Sequence, residues 1–108
     1  MADEPTNARV SFGEAAPELA EITDRVLFGK VWRRPELSPR DRSLITVSSL
    51  VALYRTNELP YHINYALQNG VTQDEIVELI THLAFYSGWP TAMTALTIAR
   101  KIFAESKS

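Results

Sequence analysis

Glu58 and His62 are the two side chains in this sequence best suited to acid–base chemistry. They are four residues apart on a predicted helix and therefore share one face. A carboxylate in that position raises the pKa of the imidazole or fixes its tautomer, which makes a poised acid or base. The alternative is a partly buried structural histidine that pairs with Glu58. The spacing alone leaves both interpretations open.

His82 is the second candidate, one helical turn before Tyr86 and close to a predicted helix break at residues 88–90 (GWP). Irregular backbone at such a break can line a cavity, and Phe85, Tyr86 and Trp89 would suit the wall of a pocket for a planar ligand. A capped structural histidine and ordinary core aromatics are the alternatives. Two histidines twenty residues apart, with no matching third ligand, do not predict a metal site.

Arginine is concentrated in the connections on either side of one predicted helix. Its forked guanidinium is the natural partner of a carboxylate, although some of these side chains are simply solvated surface. The set comprises Arg33, Arg34, Arg40, Arg42 and Arg55.

Composition excludes several classes of function. The chain has 108 residues, a formal net charge of −2 and no cysteine, so one domain is expected and thiol chemistry is excluded. Residues 65–76 have the pattern of a helix–turn–helix motif, but its second helix opens with Asp74, Glu75 and Glu78, which phosphates repel. Nucleic acid is not an expected partner. An acidic N-terminus and the lack of a long apolar run predict no membrane segment and a cytoplasmic location.

Five helices and no strand are predicted, which gives an all-α, compact bundle. Residues 1–16 are predicted to be a polar arm, disordered or laid on a partner, and residues 17–108 a single helical domain. The first helix spans residues 17–32 and is weakened by Gly29. The second starts with Ser38 at the N-cap and Pro39 at its first position, and runs to about Tyr54. Because this helix is apolar on most faces, we expect it to be central, buried between other helices or between subunits.

The remaining helices have clear boundaries. The third begins near Leu59 and ends at Asn69 and Gly70, a typical left-handed terminus. Thr72 and Glu75 form a capping box that opens the fourth helix. The GWP break ends that helix, and its proline can begin the fifth, whose small residues permit close packing.

Several segments of the sequence also match a known family in order, over about residues 17–104. They are residues 27–32 (LFGKVW), 37–46 (LSPRDRSLIT), His62 with 66–72 (ALQNGVT), 75–78 (EIVE) and 86–90 (YSGWP). Together they resemble the carboxymuconolactone decarboxylase family. The resemblance implies an all-helical, alkylhydroperoxidase D-like fold that assembles into trimers or hexamers, with pockets near subunit contacts.

That family contains thiol peroxidases and decarboxylases. The peroxidases use a Cys-x-x-Cys pair four residues before a histidine, with a glutamate upstream. If His62 is that histidine, Arg55 and Glu58 occupy the cysteine positions and Ser43 occupies the glutamate position. Peroxidase activity by that mechanism is therefore excluded, and the decarboxylase branch is expected.

The resemblance implies a cofactor-free decarboxylase of a small unsaturated carboxylactone, similar to γ-carboxymuconolactone and belonging to aromatic catabolism. His62 is the expected proton donor or oxyanion partner, and Glu58 orients it. Arg42 or Arg55 is expected to bind a carboxylate. His82, Tyr86 and Trp89 are expected to line the pocket. The alternatives are an enzyme for another small quinone or unsaturated acid, and a non-catalytic oligomeric small-molecule binding protein.

Overall fold

Helices and turns make up residues 8–106, the part of the chain that the computed structural model describes. No strand occurs among those residues, which confirms the all-α prediction. The chain divides into two units, Met1–Pro39 and Arg40–Ser108. Within residues 8–106, no helix combines the length and the hydropathy needed to cross a membrane.

The first unit contains short helical segments of different kinds. Helix α1 (Ala8–Phe12) lies in the stretch that was predicted to be an arm, of which residues 1–7 fall outside the described part. Helix α2 (Pro17–Ile22) begins with a proline, as predicted, and continues as a π-helix over Thr23–Phe28. A 3₁₀ turn (Val31–Arg33) follows. The prediction of a single helix over residues 17–32 is therefore wrong: the stretch is helical, but it consists of three segments of different types.

Gly29 explains where the wider helix ends. A β-carbon at this position would lie 2.5 Å from the carbonyl oxygen of Arg25 and 2.8 Å from that of Asp24. No side chain fits at those distances, so the glycine allows the close approach rather than simply weakening a regular helix. Beyond it, the buried Trp32 stacks on Phe28 with ring centroids 5.9 Å apart.

The second unit contains the four long helices, whose starts match the sequence signals. They are α3 (Pro39–Ala52), α4 (Leu59–Gln68), α5 (Gln73–Ala84) and α6 (Trp89–Ser106). The left-handed Gly70, at φ 99°, follows α4. Thr72 accepts from the amide of Glu75, whose carboxylate accepts from the amide of Thr72, so the predicted capping box at the start of α5 is confirmed.

The core of this unit consists of the apolar faces of all four helices. Ile63 and Ala66 of α4, Ile76 of α5 and Ala99 of α6 are fully buried in it. Small alanines on α6 let the neighbouring helices approach closely, as the sequence predicted. This packing fixes the orientation of α4, and with it the direction of the polar side chains on its other face.

Helix α3 is only partly buried within the single chain, and burial of its other faces between subunits stays a prediction. Its fully buried residues are Ser43, Val47 and Val51, which recur every four positions and form one narrow stripe. Ile45 is 55% exposed, and Leu53 is exposed as well. Packing within this chain therefore buries only some of the apolar side chains of α3 and leaves others exposed.

Candidate active site

The Glu58–His62 pair forms the first part of the candidate site. Glu58 occupies the N-cap position of α4, and the backbone amide of His62 donates to the carbonyl oxygen of Glu58 at 3.3 Å. Tyr61 meets the imidazole edge-on, with ring centroids 5.0 Å apart. Tyr65 also meets it edge-on, at a centroid distance of 6.2 Å. The imidazole is thus partly buried beside two aromatic rings, one turn away from a carboxylate.

Burial controls the protonation of His62. Desolvation lowers the pKa of the imidazole below its ordinary 6.5, and the negative charge of Glu58 opposes this shift without reversing it. Glu58 thus acts in the predicted direction, but the net shift of the pKa is downward because burial outweighs its charge. The imidazole is neutral at neutral pH, so it offers one N–H donor and one nitrogen acceptor.

This lowered pKa predicts a pH-dependent component of stability. Above pH 6.5, His62 is neutral in both the folded and the unfolded chain, and its contribution to stability does not change. As the pH falls through 6.5 towards the lower folded pKa, the unfolded chain binds the proton more readily and the free energy of unfolding decreases. Urea unfolding at several pH values would measure this loss. His62→Gln lacks the titrating group and should gain stability relative to wild type as the pH falls; equal pH slopes would contradict the prediction.

His82 lies in a different setting, on the exposed surface of α5. Its ring stacks on that of Tyr86 at a centroid distance of 4.8 Å and an interplanar angle of 20°. It also borders an open cleft of about 390 Å³ between α3 and α5. The residues that line the cleft are Leu44, Ser48, Glu75, Glu78, Leu79, His82 and Leu83.

The polar part of this cleft is acidic. Glu75 accepts hydrogen bonds from the amide of Thr72 and from the guanidinium of Arg40. The Thr72 hydrogen bond, helped by the charge of Arg40, holds the pKa of this carboxyl below its usual range, so Glu75 is ionised at neutral pH. Glu78 adds a second carboxylate. The cleft therefore suits an apolar or hydrogen-bonding group better than another carboxylate.

The other predicted site residues also belong to the second unit. Arg42 is partly buried on α3, whereas Arg55 is exposed in the connection from α3 to α4. Trp89 begins α6, is exposed, and meets Phe85 edge-on at 5.4 Å. The structure thus places Glu58 one turn before His62 on α4 and brings the rings of His82 and Tyr86 into contact.

Ser43 was expected at the glutamate position of the peroxidase branch if His62 is the matching histidine. Ser43 is 1% exposed, and its hydroxyl oxygen accepts from the side-chain amide of Asn69 at 2.9 Å. The hydrogen bond joins α3 to the end of α4, so this position has a structural partner.

Two aromatic neighbours of His62 were not predicted as site residues. Tyr61 and Tyr65 stack on each other with centroids 5.8 Å apart, and both rings contact the imidazole edge-on. Their spacing from the histidine, one residue before and three after, places all three on adjoining parts of the α4 surface. That spacing was the available signal, and it gained meaning only once the buried face of α4 was known.

The model of the carboxymuconolactone decarboxylase family matches residues 17–101, which include every candidate site residue described above. This chain belongs to the carboxymuconolactone decarboxylase family.

Two characterised relatives extend the comparison. The 4-carboxymuconolactone decarboxylase of Acinetobacter baylyi is 42% identical over 86 residues, which cover 80% of this chain and 64% of that protein. The nitrosuccinic acid decarboxylase of Metarhizium robertsii is 36% identical over 81 residues, which cover 75% of this chain and 57% of that protein. The chain thus spans less than two thirds of the length of either relative. Both relatives are named as decarboxylases of small acids.

Proposed function

We propose that this protein is a decarboxylase of a small unsaturated carboxylactone, γ-carboxymuconolactone or a close analogue, which acts without a cofactor. The observation that carries the proposal is the partly buried imidazole of His62, which contacts two tyrosine rings and lies one turn after the exposed Glu58, inside the region that matches the family. The decarboxylase names of the two relatives support the class of reaction.

The substrate itself provides the electron sink for this reaction. The departing carboxylate is attached to the ring carbon that is vinylogous to the lactone carbonyl. When the bond to carbon dioxide breaks, its electron pair moves through the ring double bond and develops as negative charge on the carbonyl oxygen. A proton then returns to the α-carbon and gives the enol-lactone. The protein must hold the carboxylates, stabilise the oxygen charge and control protonation.

His62 is suited to stabilising the negative charge that develops on the carbonyl oxygen. A neutral imidazole offers an N–H donor to the developing oxyanion, and partial burial strengthens that hydrogen bond relative to water. A neutral ring also acts less readily as a proton donor than an imidazolium. We therefore favour the role of oxyanion partner, with Glu58 setting the orientation of the ring.

The charges of the second unit favour arginine as the carboxylate partner. Arg55 is exposed close to Glu58 in sequence, and Arg42 lies on α3. His82 shares its cleft with Glu75 and Glu78, which repel a second carboxylate. His82 and Tyr86 are therefore proposed to contact an uncharged part of the substrate, and Trp89 to complete the wall.

A second candidate substrate class follows from the relative named for nitrosuccinic acid. In that compound one carboxylate is attached to the carbon that carries the nitro group. Loss of carbon dioxide leaves a carbanion whose charge is delocalised onto the nitro oxygens. The two substrates therefore share one requirement, an oxygen that becomes negatively charged beside the carbon to be protonated, and the same donor at His62 would serve both.

The test is a time course of γ-carboxymuconolactone, generated in situ and followed by ultraviolet absorption and proton NMR, with chelator-treated protein. We expect enol-lactone to form, with kcat/KM that falls as the pH drops through the lowered pKa of His62 and is flat above it. A value that falls as the pH rises through that pKa would make the imidazolium the proton donor. No turnover of either the lactone or nitrosuccinic acid would contradict the proposal and favour the binding-protein alternative.

Light scattering on the same sample would test the predicted trimer or hexamer, which the exposed Phe85, Tyr86 and Trp89 support.

A further inference from the structure

Tyr54 ends helix α3 in an unusual backbone conformation. Its φ is 61°, and it is the one residue other than glycine with a positive φ among residues 8–106. Its amide donates to the carbonyl oxygen of Val51 at 3.1 Å, and the next amide, of Arg55, donates to that of Leu50 at 2.8 Å. These two hydrogen bonds close a helix around a left-handed residue, a position that strongly favours glycine.

The tyrosine side chain makes this conformation costly. A left-handed backbone brings the β-carbon close to the following carbonyl oxygen, a contact that glycine avoids. The residue is 55% exposed, so burial of the side chain offsets little of this cost. Glycine would close the same turn with less strain, and folding of the helix end therefore does not explain the choice of tyrosine.

The Tyr54 side chain contacts another helix of the second unit, α6. The Tyr54 hydroxyl lies 3.4 Å from the Thr94 hydroxyl on α6. The chain that leaves Tyr54 passes directly through Arg55 and reaches Glu58, the N-cap of α4. Tyr54 therefore joins α6 to the connection that contains both Arg55, a proposed carboxylate partner, and Glu58, the proposed orienting carboxylate.

We propose that Tyr54 is a positioning residue of the decarboxylase site: its ring and hydroxyl, held in the left-handed turn, hold the 53–58 connection against α6 and so place Arg55 for the substrate carboxylate. This inference rests on the proposed function for its kinetic part and on the backbone geometry for its structural part. It assigns the strained conformation to substrate binding rather than to folding.

The test compares Tyr54→Gly, Tyr54→Phe and the control Asn57→Gly. Tyr54→Gly keeps the turn and removes the ring, so we expect its Tm to equal or exceed that of the wild type. We also expect faster amide hydrogen exchange at residues 55–58 and a KM higher by about 10-fold, with kcat little changed, as for a weakened hydrogen bond to a charged group. Tyr54→Phe isolates the hydroxyl and should shift KM in the same direction by less. Asn57→Gly adds a flexible residue to the same exposed connection and should leave KM near the wild-type value.

Two results would overturn the inference. A Tyr54→Gly protein with wild-type KM and wild-type exchange at residues 55–58 would show that the ring positions nothing. A Tyr54→Gly protein with a lower Tm and faster exchange throughout residues 40–106 would make the ring a part of the fold. If the wild type itself shows no turnover, the proposed function fails, and the exchange comparison still decides whether Tyr54 holds the connection.

Discussion

Replacing His62 by alanine is expected to lower kcat for decarboxylation by about 10²–10³-fold, the usual effect of removing one donor to a developing oxyanion. The substitution should leave the helical circular dichroism spectrum and the state of assembly unchanged. The imidazole lies beside Tyr61 and Tyr65 and outside the fully buried core, so no large cavity forms. Steady-state kinetics on the folded variant would measure the effect.

His62→Gln separates the two roles of the imidazole. Glutamine keeps an N–H donor but cannot transfer a proton, so an oxyanion partner is partly replaced by glutamine and a proton donor is not. We expect His62→Gln to retain more activity than His62→Ala. Asn64→Ala, at an exposed position on the same helix, is the matched control and should keep the wild-type kcat. Wild-type turnover by His62→Ala would exclude the assignment.

The pKa of His62 shows where prediction from the sequence ends. The four-residue spacing from Glu58 was visible in the sequence, and a carboxylate at that distance favours a raised pKa. The net shift is downward because burial of the ring outweighs the charge. Burial depends on how α4 packs in the core, which its own residues do not determine.

Local signals predicted the boundaries of helices well and their placement less well. Thr72, Glu75 and Gly70 act within one turn of the chain, so their capping and left-handed roles could be predicted from residue type. The left-handed Tyr54 could not, because tyrosine carries no signal for that conformation. The π-helix before Gly29 could not be predicted either. The need for glycine there comes from its close approach to the carbonyl oxygens of Asp24 and Arg25, a contact that residue types alone do not show.

Replacing Ile63 by alanine is expected to have the opposite effect to a change at its neighbour His62: a large loss of stability with the chemistry intact. Ile63 is 0% exposed and packs in the core shared by the four helices, where its truncation leaves a cavity. Such changes cost about 2–5 kcal/mol, which lowers Tm by on the order of 10–20 °C in a domain of this size. At low temperature, the folded fraction should keep the wild-type kcat.

The matched control is Ile45→Ala, the same change at a position on α3 that is 55% exposed. Within the single chain, Ile45 has little packing to lose, so its variant should stay within about 0.5 kcal/mol of wild type. Thermal unfolding at several protein concentrations would compare the two variants. A concentration-dependent loss at Ile45 would contradict this expectation and show that the exposed face of α3 is buried between subunits. Because His62 and Ile63 are adjacent on α4, their opposite effects would separate the face of that helix that performs chemistry from the face that holds the fold.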